Sequence, residues 1–243
     1  ENYHQETFDL LVLISNISFD YVVDPFSDNG SLVQNVNDCG TLSTANAVYT
    51  LQNNISTTGT CFTITANNVT LNGNGYNISG DGGVNDYGFN VTSRNNATIK
   101  NAYVTNFSYG IYLSLTNNSL IQNVTANSNS ENGIYLITSS NNNLTQLTAN
   151  SNAKHGIYLI TSSNNNTLNS ITANSNGENG IYFDSSSNNN QLNNITANSN
   201  FLNGIRISSS SNNLGTSLTQ YTPLISISVK GRNSSNLQMY LPG

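Results

Sequence analysis

An all-β chain wound as a solenoid of parallel strands is predicted by three observations. The first is a repeat. Gly133-Ile134-Tyr135-Leu136 returns as Gly156-Ile157-Tyr158-Leu159, Gly180-Ile181-Tyr182-Phe183 and Gly204-Ile205-Arg206-Ile207, with worn copies at Gly110 and Gly88. The step is roughly 22 to 24 residues, within the range of solenoid repeats. The second is period-two alternation: Ile157 and Leu159 fall on one face and Tyr158 on the other. No copy carries a long apolar stripe at helical spacing. The third is column chemistry. When copies are stacked, Phe89, Ile111, Ile134, Ile157, Ile181 and Ile205 align, as do Val91, Leu113, Leu136, Leu159, Phe183 and Ile207. A third column runs through Ile99, Ile121, Leu144, Leu168, Leu192 and Leu214, and a fourth through Val124, Leu147, Ile171 and Ile195. Stacking buries a continuous core that no single coil could bury alone.

Taken in order, residues 1–38 read as an apolar strand arm and linker, 39–214 as the solenoid and 215–243 as a short C-terminal β cap or docking segment. Phe8, Leu10, Leu11, Val12, Leu13 and Ile14 make the most apolar run in the chain. Such a strand must be covered on both faces. It either caps its own coil or pairs with a neighbouring subunit as a donated strand. Val48 to Leu51 and Cys61 to Ile64 read as early strands, and the glycines mark sharp turns into the first strand of each coil. Asn127, Asn150, Asn174 and Asn198 align, as do Asn129, Asn152, Asn176 and Asn200. Stacked Asn side chains bond along a ladder and tolerate left-handed turns. After Gly215 the alternation of Ile225, Ile227 and Val229, then Leu237, Met239 and Leu241, suggests a hairpin-like cap.

Charged residues are only 7% of the 243, and the formal net charge is −6. That balance argues against nucleic acid as a partner. No stretch is long and apolar enough to span a membrane. Without a start methionine or signal peptide, a processed chain is expected. Cys39 and Cys61 are 22 residues apart, one coil, so they stack within disulfide reach. A disulfide is the expectation, and two buried free thiols are the alternative.

The Gly-Ile-Tyr-Leu, Ser-Asn-Asn-Asn and Ile-Thr-Ala-Asn-Ser-Asn coil resembles the parallel β-helix repeat of pectin-lyase-like proteins. It is most similar to the NosD-like repeat of prokaryotic surface proteins. The stretch from Cys39 through Asn72-Gly73-Asn74-Gly75 to Gly80 resembles the first coils of such proteins. Over residues 39–214 the resemblance implies a right-handed parallel β-helix, a fold that hosts lyases, hydrolases, adhesins and passive stalks.

Catalysis on this fold would need paired carboxylates or a metal. Asp81 and Asp86 form the only close acidic pair in the coil, and Asp184, Glu131 and Glu178 are scattered. His155 stands where sister coils carry Asn132, Asn179 and Asn203, so it reads as a turn residue. It has no His, Cys or Met beside it, and neither a metal nor a cofactor is expected. Tyr112, Tyr135, Tyr158 and Tyr182 form an outward column between Asn90 and Arg206. This column is either a ligand face or a self-stacking seam. Asn-X-Ser/Thr sequons start at Asn16, Asn29, Asn54, Asn68, Asn77, Asn90, Asn96, Asn106, Asn117, Asn123, Asn143, Asn165, Asn194 and Asn233. Several are expected to carry N-glycans in a secreted chain.

These features lead to a secreted, N-glycosylated, non-catalytic structural protein of a cell surface. It is expected to be the subunit of an extracellular filament, docking head to tail on its own copies through residues 8–14 and its open ends. The alternative is a carbohydrate-binding or adhesin module using the tyrosine column, with polysaccharide as partner. The third reading is a polysaccharide lyase or hydrolase built on Asp81, Asp86 and Asp184.

Overall fold

The computed structural model describes residues 21–22, 32–219, 226–227 and 239–240. The apolar run at residues 8–14 and the sequons at Asn16, Asn29 and Asn233 lie outside the described residues. Among those described there is no helix, and none therefore long and apolar enough to cross a membrane. Two long sheets, of thirteen and nine strands, wind into a right-handed parallel β-solenoid. All pairings are parallel except that of Tyr21–Val22 with Val33–Val36.

The register follows the columns. Phe89, Ile111, Ile134, Ile157, Ile181 and Ile205 are consecutive partners in the nine-stranded sheet. The Val91 to Ile207 column lies two residues further on, and both columns are buried. In the thirteen-stranded sheet Ile99, Ile121, Leu144, Leu168 and Leu192 are in register and buried. Leu214 is not: it pairs with Gln191 and is 37% exposed, while Gly215 takes the partner position of Leu192. That coil is a residue longer than the alignment of apolar residues assumed, and a one-residue slip flips a side chain to the other face. The side chain of Leu218 reaches over Gly215 and fills the gap.

The recurring glycines do not make the corners. Among described glycines only Gly75 and Gly82 have positive φ. A Cβ on Gly156 would instead lie 2.6 Å from the carbonyl oxygen of Gly180 and 2.7 Å from that of Ala149. These glycines are required by close approach between coils. The left-handed positions fall mostly on Asn and Ser, with Leu115, Thr138, Gln146 and Thr161 besides. One corner column is all asparagine: Asn46, Asn68, Asn96, Asn118, Asn141, Asn165, Asn189 and Asn212. Another, through Asn101, Asn123, Gln146, Ser170, Asn194 and Ser217, bends six strands of the larger sheet, from Thr98–Thr105 to Leu214–Thr219, in their middle. Asn tolerates this conformation because its side chain bonds locally. Here the bond runs between coils, as from Asn123 Nδ2 to Asn101 Oδ1 at 2.8 Å.

At the C-terminal end, Ser226–Ile227 and Met239–Tyr240 do not form a hairpin. They pair parallel with Asn203–Ile207 and Leu214–Thr219 and continue both sheets. Near the N-terminal end Cys39 and Cys61 are joined by a disulfide between adjacent coils, with Cα atoms 4.5 Å apart.

Candidate functional site

Two ladders run along the coil, one inside and one outside. The inner ladder is asparagine. Asn152 Oδ1 accepts from the backbone N–H of Asn129 and from its Nδ2, both at 3.0 Å. Asn152 Nδ2 donates to the carbonyl of Ala126 and to Asn176 Oδ1, both at 3.1 Å. Asn176 and Asn200 repeat the pattern. A second buried row, Asn142, Asn166, Asn190 and Asn213, does the same. These groups are buried and fully bonded, so they have no capacity left for a ligand.

The outer ladder is aromatic and half-buried. Tyr112, Tyr135, Tyr158 and Tyr182 are cross-strand partners on successive coils. Their ring centroids are 5.5, 5.3 and 4.8 Å apart, and Tyr158 lies flat on Tyr182 with 2° between planes. Arg206 covers the far end, its guanidinium carbon 4.9 Å from the Tyr182 centroid. Sequence reading missed a second row beside the first. Tyr87 packs 4.7 Å from Tyr112, and Tyr109 packs 5.8 Å from Tyr112 and 5.4 Å from Tyr135. The signal was present: Tyr109 precedes Gly110 by one residue, where later coils carry Asn132, His155 and Asn179.

Because the rings stack on one another, the seam presents edges and hydroxyls rather than open faces. The hydroxyls of Tyr135, Tyr158 and Tyr182 hold their protons more tightly than a free phenol. Burial, helped by the nearby Tyr109 and Tyr112, pushes the Tyr135 hydroxyl up to about 12. Burial and then the Asp184 carboxylate, which also hydrogen-bonds it, raise Tyr158 further. Tyr182 is raised by burial and Asp184 against the opposing pull of Ser208 and Arg206. The result is a comb of neutral hydroxyls, able both to donate and to accept, at the inter-strand spacing of about 4.8 Å.

His155 sits at the edge of this seam, 4.8 Å from the Tyr158 ring and 5.2 Å from that of Tyr182. It is 5% exposed. Its Nδ1 accepts the backbone N–H of Asn179 at 3.2 Å, as an asparagine oxygen would. This fixes the neutral tautomer with the proton on Nε2, which faces Glu178 Oε2 at 3.4 Å. Burial, then Lys154 and Arg206, lowers its pKa to about 4. Such a group has neither the free lone pair nor the pKa of a general base at neutral pH. Glu131 and Lys154 pair beside it.

The acidic residues do not form one site. Asp86 and Asp184 belong to coils four strands apart in the nine-stranded sheet, about 19 Å at the inter-strand spacing. Paired glycosidase carboxylates stand within about 10 Å. Among the described residues no three His, Cys, Asp or Glu side chains cluster as metal ligands. A cavity of about 540 Å³ opens at the N-terminal end, lined by Gln34 to Thr44 and Tyr49. Its single carboxylate, Asp38, is bonded to the Cys39 N–H. Of the described sequon asparagines, Asn54, Asn68, Asn77, Asn96, Asn106, Asn123, Asn143, Asn165 and Asn194 are exposed, and Asn90 and Asn117 are half-buried.

The model of a family described as the right-handed beta helix region matches residues 12–220. No curated protein matches the chain. Several solved structures do. The A-module of the Azotobacter vinelandii mannuronan C-5 epimerase AlgE6 is 14% identical with a TM-score of 0.57, over 77% of this chain and 56% of that one. A double mutant of the periplasmic alginate epimerase AlgG is 13% identical with a TM-score of 0.55, over 85% and 68%. Tailspike protein 2 of Escherichia coli bacteriophage CAB120 is 14% identical with a TM-score of 0.52, over 77% and 34%. The chain thus spans little more than half of the AlgE6 module. At such identities the likeness is one of fold. It overturns the expectation of a secreted, non-catalytic filament subunit: these structures are polysaccharide epimerases and a tailspike, and the fold is one on which polysaccharide enzymes are built. The larger sheet's first edge also ends in an antiparallel pair, Tyr21–Val22 on Val33–Val36, rather than in an open parallel strand.

Proposed function

The chain belongs to the right-handed beta helix family, and from that premise we propose that it binds a neutral polysaccharide along its outer tyrosine seam. The carrying observation is the seam itself. Tyr87, Tyr109, Tyr112, Tyr135, Tyr158 and Tyr182 make one continuous aromatic surface across five coils. Amphipathic rings of this kind suit a ligand that is apolar on its faces and hydroxylated on its rim. The phenol comb repeats with the coil, and a polysaccharide repeats along its own axis. Likeness to polysaccharide epimerases supports the ligand class. Net charge supports a neutral one, because a chain at −6 repels a polyanion.

The charged side chains beside the seam are engaged in structural contacts. His155 is locked, and Asp184 is occupied with the Tyr158 and Tyr182 hydroxyls. The test is affinity electrophoresis and calorimetry against neutral and acidic polysaccharides, with Tyr135→Ala and Tyr158→Ala as controls. Retardation by a neutral glycan, lost in both variants, is the expected result. No retardation by any glycan defeats the proposal. New reducing ends or unsaturated products would replace it with a catalytic one.

A further inference from the structure

One carboxylate oxygen is left bare beside the first ring of the seam. Asp86 closes the turn between Asn77–Ser79 and Tyr87–Thr92 and is 4% exposed. Its Oδ1 accepts the Ser108 N–H at 2.6 Å. Its Oδ2 is buried and has no hydrogen-bond partner among the described residues. The ion pairs found among those residues involve Glu131, Lys154, His155 and Glu178, and none reaches Asp86. A buried carboxylate oxygen without a partner is costly, and buried charges are ordinarily paired or bound to metal.

The turn provides a place for the counter-charge. A Cβ on Gly83 would lie 3.5 Å from Asp86 Oδ2 and 3.0 Å from Asp81 Oδ1, so both carboxylates look onto the small space over that glycine. Asp81 is exposed, and its Oδ1 accepts the Gly83 N–H at 3.0 Å, which holds the carboxylate over the turn. Gly82, with φ of 79°, turns the backbone aside, and its own Cβ position is 3.3 Å from Asn106 Oδ1. The donors are oxygens only, two charged and one neutral. That set selects a hard cation over zinc or copper. An irregular Gly-rich loop suits the loose six-to-eight-fold coordination of calcium better than the strict octahedron of magnesium.

We propose that Asp81 and Asp86 bind a calcium ion over Gly83, with Asn106 as a neutral donor and backbone or solvent oxygens completing the shell. The ion ties the turn at residues 80–86 to the coil at the base of Tyr87. Terbium(III) luminescence tests this directly, since terbium replaces calcium and is sensitised by a nearby tyrosine, here Tyr87. Excitation of tyrosine should give terbium emission that calcium displaces, and calcium should raise Tm relative to chelator. Asp81→Asn and Asp86→Asn should each weaken calcium binding at least tenfold. Asp86→Asn keeps an oxygen for the Ser108 N–H, and Asp81 is exposed, so the Asp81 variant reports even where the other folds poorly. The proposal is overturned if calcium changes neither signal in the unaltered chain, or if either variant binds it as tightly.

Discussion

The inner asparagine ladder and the outer tyrosine ladder repeat with the same step and from the same coils, yet they answer different demands. Asn129, Asn152, Asn176 and Asn200 use their side-chain oxygens and Nδ2 groups on each other and on backbone groups the coil buries. Tyr112, Tyr135, Tyr158 and Tyr182 bury their ring faces on each other and leave edges and hydroxyls outside. A repeated column is therefore not itself a sign of function. What separates the two is spare bonding capacity: none inside, a row of it outside.

The largest effect expected from breaking the comparison is on the inside. Asn152→Leu keeps the volume but leaves the Asn129 N–H, the Asn129 amide and the Ala126 carbonyl without their partner. At about 1–3 kcal/mol for each of the three unmet groups, roughly 3–9 kcal/mol of stability is lost. Urea unfolding followed by circular dichroism should show a large fall in midpoint. Because each coil touches only its neighbours, the transition should also split in two. A loss below about 1 kcal/mol would mean that the inner ladder is decoration.

The two ladders meet at His155, and acid is the probe there. Its folded pKa of about 4 lies below the ordinary 6.5, so between those values the unfolded chain binds more protons. His155 therefore contributes stability in full above about pH 6.5 and loses it as pH falls towards 4. The size is about 2–3 kcal/mol. The groups facing the ring are Glu178, Lys154 and Arg206, with Tyr158 and Tyr182 at its edge. His155→Asn restores the asparagine row between Asn132 and Asn179 and should flatten the acid dependence. Denaturant midpoints measured from pH 7 to pH 4 on both chains decide it; parallel curves would remove His155 as the cause.

The inner ladder was legible in the sequence because burial there demands one chemistry at one spacing. Asn129, Asn152, Asn176 and Asn200 could be lined up by eye, and so could the Ile and Leu columns. The outer seam was half legible. Tyr112 to Tyr182 showed as a column, but Tyr87 and Tyr109 lie on the other side of Gly88 and Gly110 in their strands, where rows meet in space rather than in sequence. Leu214 was misplaced because apolar identity cannot reveal that the coil runs one residue further, to Gly215. The glycines were misread as corners for a related reason. A crowded contact between Gly156 and Gly180 and a left-handed turn both ask for a missing Cβ, and only coordinates separate them. Asp81 and Asp86 stood out in sequence as a pair, but the bare Oδ2 did not, since it depends on where Ser108 places its N–H.

On the outside a larger truncation should cost less stability and more function. Tyr158→Ala removes contacts with Tyr135, Tyr182 and His155, each worth about 0.5–1.5 kcal/mol. The exposed edge and water filling the gap should keep the net loss near the low end, about 1–2 kcal/mol. Polysaccharide affinity should fall at least tenfold in calorimetry on the same preparation. A stability loss as large as that of Asn152→Leu, with binding intact, would make the seam a structural device like the ladder within.

The smallest change sharpens the distinction most. Tyr158→Phe keeps the ring between Tyr135 and Tyr182 and deletes only the hydroxyl that Asp184 bonds. Asp184 is half-buried and can turn to water, so stability should move by no more than about 0.5 kcal/mol. If the comb of hydroxyls reads the sugar rim, one lost hydrogen bond of about 0.5–1.5 kcal/mol weakens binding roughly 2- to 13-fold. Calorimetry of the Phe variant beside Tyr158→Ala then divides the seam's contribution between ring and hydroxyl. Full binding by the Phe variant would assign recognition to the ring edges. Equal loss in both variants would assign it to the hydroxyl row, the one part of the ladder that self-stacking cannot explain.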